Sequence, residues 1–166
     1  DHTPARLAQA EAAIQNAFRL RPDAGESHLS RAWNLYWGYL DYDGALGELE
    51  VARQTLPNDP QLFLLKAAIE RRKGHWEESM RNFERAVELD PRNTFALHQA
   101  ALNYLYLRRY PDLEALLDRV LAIEPANLAA QADRTGTDLD WHADTRPMHQ
   151  MIDSIQDRKS TRLNSS

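Results

Sequence analysis

With 166 residues, 43% of them hydrophobic and 27% charged, the chain has the size and balance of one folded domain or a short repeat array, not of a disordered segment. A formal net charge of -5 argues against a nucleic-acid platform, whose footprint is a strong basic patch. The lack of cysteine excludes disulfides, zinc–thiolate sites and thiol nucleophiles, and no apolar run is long enough to insert in a membrane.

Residues 4–22 carry Ala10, Ile14, Ala17 and Leu20 ahead of Pro22, the spacing of a lone amphipathic helix. The pattern then returns three times. Pro57, Pro91 and Pro125 lie 34 residues apart, and Asn93 and Asn127 keep that interval just behind them. Ala52, Ala86 and Val120 precede the prolines by five residues, and Leu49, Phe83 and Leu117 precede those by three. Ala45, Ser79 and Leu113 form a further column, and Tyr42, Trp76 and Tyr110 an aromatic one. Several columns in phase over three copies are the signature of a repeat array. One extra residue separates the 4–22 segment from the next copy and is placed near Gly25.

The middle copy shows how each unit folds. Residues 61–73 carry Phe63, Ala67 and Ile69 at helical spacing, and Gly74 stops that helix because it enters the left-handed region freely. Residues 76–89 bring Met80, Phe83, Ala86 and Val87 to one face. Glu77 and Glu78 suit the positive end of that helix, and Asp90-Pro91 ends it.

The segment GHWEESMRNFERAVELDPRN resembles the second half of a tetratricopeptide repeat. On that resemblance, full copies run 26–59, 60–93 and 94–127, with a partial copy at 4–25 and a degenerate one at 128–156. Lys66, Leu113 and Arg108 depart from columns that are usually leucine, alanine and glycine. The resemblance implies an all-α, right-handed superhelical solenoid of antiparallel helix pairs, stabilised by contacts between neighbours. It also implies a non-enzymatic module whose partner is a protein or peptide held in a concave groove, without cofactor or metal.

Carried over residue by residue, that groove is lined by Ser27, Ser30, Asn34 and Trp37, then Gln61, Leu64, Ala68, Arg71 and Arg72, then Phe95, His98, Leu102, Leu105 and Tyr106. Trp37, Tyr106 and Arg71 are of the types that most often anchor binding, and the arginine pair would suit an acidic residue in a peptide. The competing reading makes the aromatics packing residues and the arginines a solvated face. The family's clamp for a C-terminal carboxylate is not expected. Only Asn34 fits it, while Ser30, Leu65, Phe95 and Gln99 stand at its other positions. The run from LYWGYLDYDGALGELEVARQTLPND onward resembles arrays at the C-terminal end of bacterial multidomain kinases, cyclases and winged-helix regulators. That resemblance implies a sensing or scaffolding arm in the cytoplasm, or outside it if a membrane span lies upstream. Self-association through an exposed apolar end is the alternative role.

Other candidate chemistry reads as structural. Asp138, Asp140, His142 and Asp144 alternate like calcium ligands, but Ala143 and His149 stand where a calcium loop needs glycine and glutamate. The expectation is a polar loop in which Asp144 or Thr145 caps a helix beginning near Arg146. Six histidines, His2, His28, His75, His98, His142 and His149, make no paired zinc motif. Ser30, Ser79 and Thr94 show no nucleophile elbow, and no glycine-rich phosphate loop exists. The last ten residues, DRKSTRLNSS, resemble the translation of a sequencing adapter, so residues 157–166 are expected to be a non-native tail on a metagenomic fragment.

Overall fold

A computed structural model describes the backbone of residues 3–163 and the side chains of residues 3–157. His2 and most of the tail sequence lie outside the side chains described. The described residues are all-helical, with no strand, and they form two compact units that meet at Pro91 and Arg92.

The first unit holds α1 (Pro4–Leu20), α2 (Gly25–Asn34), α3 (Tyr42–Arg53), α4 (Pro60–Arg72) and α5 (Trp76–Leu89). Helix α2 runs on into a π-helical turn, Leu35–Tyr39. Starts are set by side-chain caps. Thr3 accepts from the Arg6 N–H, Asp41 from Gly44 and Asp59 from Gln61, each satisfying a backbone donor that the first turn leaves over. Helices α2 and α3 pack as one antiparallel pair and α4 and α5 as another. Ala45, Ala52, Ala67, Ile69, Phe83 and Ala86 are all fully buried, so the small columns sit where helix backbones come closest. Ser79 is also fully buried, and its hydroxyl donates to the Ala67 carbonyl at 2.8 Å.

The second unit holds α6 (Thr94–Tyr106), α7 (Tyr110–Ile123), α8 (Leu128–His142) and α9 (Arg146–Leu163). Asn93 caps α6 through Ala96, and Asn127 caps α8 through Ala130, which is the physical reason for the asparagine column. Leu97, Leu113, Leu117 and Val120 form the core between α6 and α7. Helix α8 is joined to α7 by polar contacts as well. Arg134 reaches Glu114 at 2.9 Å, Asp118 at 3.2 Å and, within α8, Asp138 at 3.3 Å.

Two expectations about local structure need correction. Asp138, Asp140 and His142 are not in a loop; they form the last turns of α8, and only Ala143 to Thr145 break the helix. Asp144 caps α9, accepting the Arg146 N–H at 2.9 Å. The extra residue is not near Gly25 either. Each helix that follows a repeat proline starts on a cap two residues later, whether Ala24, Asp59, Asn93 or Asn127. The surplus lies further on, in the π-helical turn, where one residue is added without ending the helix. By Leu40 the 34-residue interval to Gly74 is restored.

Candidate functional site

Each first helix of a pair leaves part of its surface uncovered, and the two units differ in what that surface offers. In the first unit an open depression of about 530 Å³ lies between α1 and α2. Ala10, Ala13, Ile14 and Ala17 form one wall, and Ser30, Trp33, Asn34 and Trp37 the other. Trp37 is 49% exposed, and its ring meets that of Tyr36 edge-on at 4.9 Å. The walls are tied together. Arg31 donates to one oxygen of Glu11 at 2.7 Å and Asn34 to the other at 3.1 Å, while Phe18 meets His28 edge-on at 4.9 Å. Ser30 donates within α2, to the Glu26 carbonyl.

The rest of the anticipated lining in this unit behaves differently. Leu64 is only 3% exposed and belongs to the core, as does Leu65. The Arg71 guanidinium lies over the Phe83 ring at 5.3 Å, and Arg72 Nε approaches the Tyr36 hydroxyl at 3.5 Å. The arginine pair is therefore at least partly engaged in covering and bracing its own unit.

In the second unit Phe95, His98, Leu102 and Tyr106 recur every three or four residues along one face of α6. Phe95 and Tyr106 are 53% and 65% exposed. His98 Nε2 lies 2.6 Å from Asp133 on α8, so this histidine joins two helices of the unit. A separate group, Glu114, Asp138 and His142, could bring three ligand atoms together, but Arg134 already pairs with both carboxylates. Among the described residues no helix is long and apolar enough to cross a membrane.

The alanine wall of α1 and Trp33 were not identified as lining from sequence. The signal was present: Ala10, Ile14 and Ala17 occupy the columns that face a first helix in every other pair.

The tetratricopeptide repeat family model matches residues 19–135. No curated protein matches the sequence. Among solved structures, MamA superposes with a TM-score of 0.74 at 10% identity, covering 92% of this chain and 88% of its own. Pseudomonas aeruginosa PilF gives 0.76 at 14% identity, covering 90% and 67%. YrrB, described as "a TPR protein with an unusual peptide-binding site", gives 0.67 at 17% identity, covering 90% and 76%. These likenesses place the fold among helical-repeat solenoids.

Proposed function

Since the chain belongs to the tetratricopeptide repeat family, we propose that it is a protein-interaction module whose first-helix surfaces hold a partner polypeptide. The observation that carries this reading is the apolar depression lined by Trp33 and Trp37, whose walls are tied together by the Glu11 contacts. Apolar hollows with a few placed polar groups and exposed aromatics are where partners anchor. Phe95 and Tyr106 give the second unit a comparable apolar stripe. The peptide-binding site named for YrrB supports the class of ligand, not its sequence.

On this reading the repeats run 26–59, 60–93 and 94–127, with a partial copy at 4–25 and a degenerate one at 128–156. The residues that contact the partner are Ser30, Asn34 and Trp37, with Arg71 and Arg72 contributing charge, and Phe95, His98, Leu102 and Tyr106. The array serves as a regulatory or scaffolding arm of a larger bacterial signalling protein. Support for that role is the sequence resemblance to such arrays.

The test is peptide display against the chain, followed by titration of the selected peptides. Replacing Trp37, Arg71 and Tyr106 together by alanine should weaken binding with helical content unchanged. Equal affinity for the triple variant would remove the assignment.

Self-association is a second reading, favoured by Leu139, Trp141 and Ile152, which are 38%, 41% and 42% exposed in the second unit. Sedimentation velocity over a range of concentrations separates the two. A monomer at all concentrations would count against assembly.

A further inference from the structure

Within the second unit, α7 packs against both α6 and α8 and leaves a strip of each exposed. The two strips adjoin, since His98 Nε2 on α6 lies 2.6 Å from Asp133 Oδ2 on α8. Asn93 caps one helix and Asn127 the other, so residues 34 apart hold the same position in each. The apolar stripe Phe95, Leu102 and Tyr106 on α6 is thereby matched on α8 by Ala129, Gly136 and Asp140. The α8 strip is low: a methyl group added at Gly136 would meet nothing within 4 Å. Its charge is negative. Helix α6 carries no Lys, Arg, Asp or Glu. On α8, Asp133 is engaged by His98, and Asp140, seven residues further along, is exposed and makes no hydrogen bond or ion pair among the described residues. The fold does not call for that carboxylate. It stands in the last turn of α8, at the negative end of the helix dipole, which repels it. The field around it is negative too, with ten Asp and Glu against six Lys and Arg from Arg92 to Asp157.

We propose that Tyr106 and Asp140 together seat an arginine or lysine side chain of a partner polypeptide, whose neighbouring apolar residues lie along Phe95 and Leu102. The proposal rests on the interaction-module reading and adds the charge of the ligand in this unit. Tyr106 is 65% exposed, and an aromatic ring attracts a cation placed over its face. Asp140 supplies the charge-assisted hydrogen bond that such a cation donates. The apolar stem of the same side chain suits the low strip at Gly136, which leaves room for it. An acidic peptide would meet a surface with no cation on α6 and an unpaired carboxylate on α8, a like-charge encounter.

The probe is the heptapeptide SALRLAS, blocked at both ends, beside SALELAS, in which glutamate replaces the arginine. Each is titrated into the full chain while backbone amide resonances are followed. SALRLAS should shift resonances of α6 and α8 and bind about tenfold more tightly than SALELAS. Asp140→Lys should reverse that order of preference. It should also raise the thermal midpoint, because a cation suits a helix C-terminus. Binding of SALRLAS and stability then move in opposite directions, which loss of structure would not produce. Asp140→Asn keeps the size of the side chain and should weaken SALRLAS by a smaller factor. Tyr106→Leu keeps an apolar body without the ring and should weaken SALRLAS about threefold. Asp153→Lys, at an exposed carboxylate on α9, makes the same change in net charge and should bind as the parent does. Equal affinity for the two peptides would overturn the cation seat, as would an equal loss in the Asp140→Lys and Asp153→Lys variants. Failure of both peptides to bind would overturn it too. In each case the wider interaction reading stands or falls separately, on whether display selects any peptide at all.

Discussion

Leu40 holds the left-handed backbone position, at φ 54°, that Gly74 fills at φ 80° one helix pair later. Both residues end the first helix of a pair, and each is followed by a backbone N–H that folds back on the preceding turn. Asp41 donates to Leu35 O at 3.0 Å, and His75 to Glu70 O at 2.9 Å. Arg108, at φ 54°, repeats the arrangement in the second unit, with Arg109 donating to Tyr104 O. A side chain in this region is disfavoured by about 1–2 kcal/mol, and glycine is not. Leu40 and Arg108 are exposed, so little packing is lost on truncation. Leu40→Gly and Arg108→Gly should each stabilise the fold by about 0.5–1 kcal/mol, after the extra backbone entropy glycine must lose. Urea denaturation of the single variants checks this, and a lower midpoint for both would refute it.

That turn also shows what the sequence could reveal and what it could not. Gly74 was legible as a stop signal because glycine is the residue that the backbone there favours. Leu40 and Ala143 perform the same task without any compositional mark. The columns Ala52, Ala86 and Val120 were legible for a different reason: a close crossing repeats with the helix pair, so the constraint repeats in the sequence. The π-helical turn at 35–39 had no signal, since one added residue looks the same wherever it falls between two fixed columns. Site residues were harder than columns. Leu64 and Arg71 sit on a first helix as anticipated, yet one is in the core and the other lies over Phe83, because helical phase sets the face while neighbours decide what is covered.

Arg134 is the polar link between α7 and α8, with carboxylates of Glu114 and Asp118 on one helix and Asp138 on its own. Its side chain is 27% exposed, so the group is neither fully screened nor fully buried. Arg134→Met keeps the apolar stem and leaves three carboxylates facing one another. The second unit should lose roughly 1–3 kcal/mol, between the values for surface and buried pairs. Glu114→Gln in the same background should return part of that loss. Thermal unfolding of the single and double variants reads the coupling, and strictly additive effects would show that Arg134 acts only through packing.

Asp144 gives a pH signature. Hydrogen bonds from the Arg146 side chain, then from the Arg146 N–H, hold its carboxyl down from 3.8 to about 2. The folded value lies below the unfolded one. Its stabilising contribution is therefore complete above the unfolded value and is lost as pH falls through about 2. Carbon-detected titration of the Asp144 carboxyl should show a midpoint near 2 in the folded chain, and Arg146→Ala should move it up toward the ordinary aspartate range. A midpoint near that of free aspartate in the parent would mean that the cap on α9 does not form.

One substitution made twice in the same column distinguishes a covered helix face from an open one. Ala86 is fully buried in α5, which packs against α4, whereas Ala17, its counterpart on α1, lines the depression and stays partly exposed. Ala86→Leu forces three extra carbons into a filled crossing and should destabilise the first unit by about 1–3 kcal/mol. Ala17→Leu meets open space in the depression, so it should change stability by less than about 0.5 kcal/mol, the range of ordinary surface changes. Its effect should appear instead as weaker binding of the selected peptides, since the depression becomes shallower. Chemical denaturation of both variants decides between the alternatives. Equal destabilisation would show that the α1 wall is already packed in solution, and the partner-binding reading of that face would fall with it.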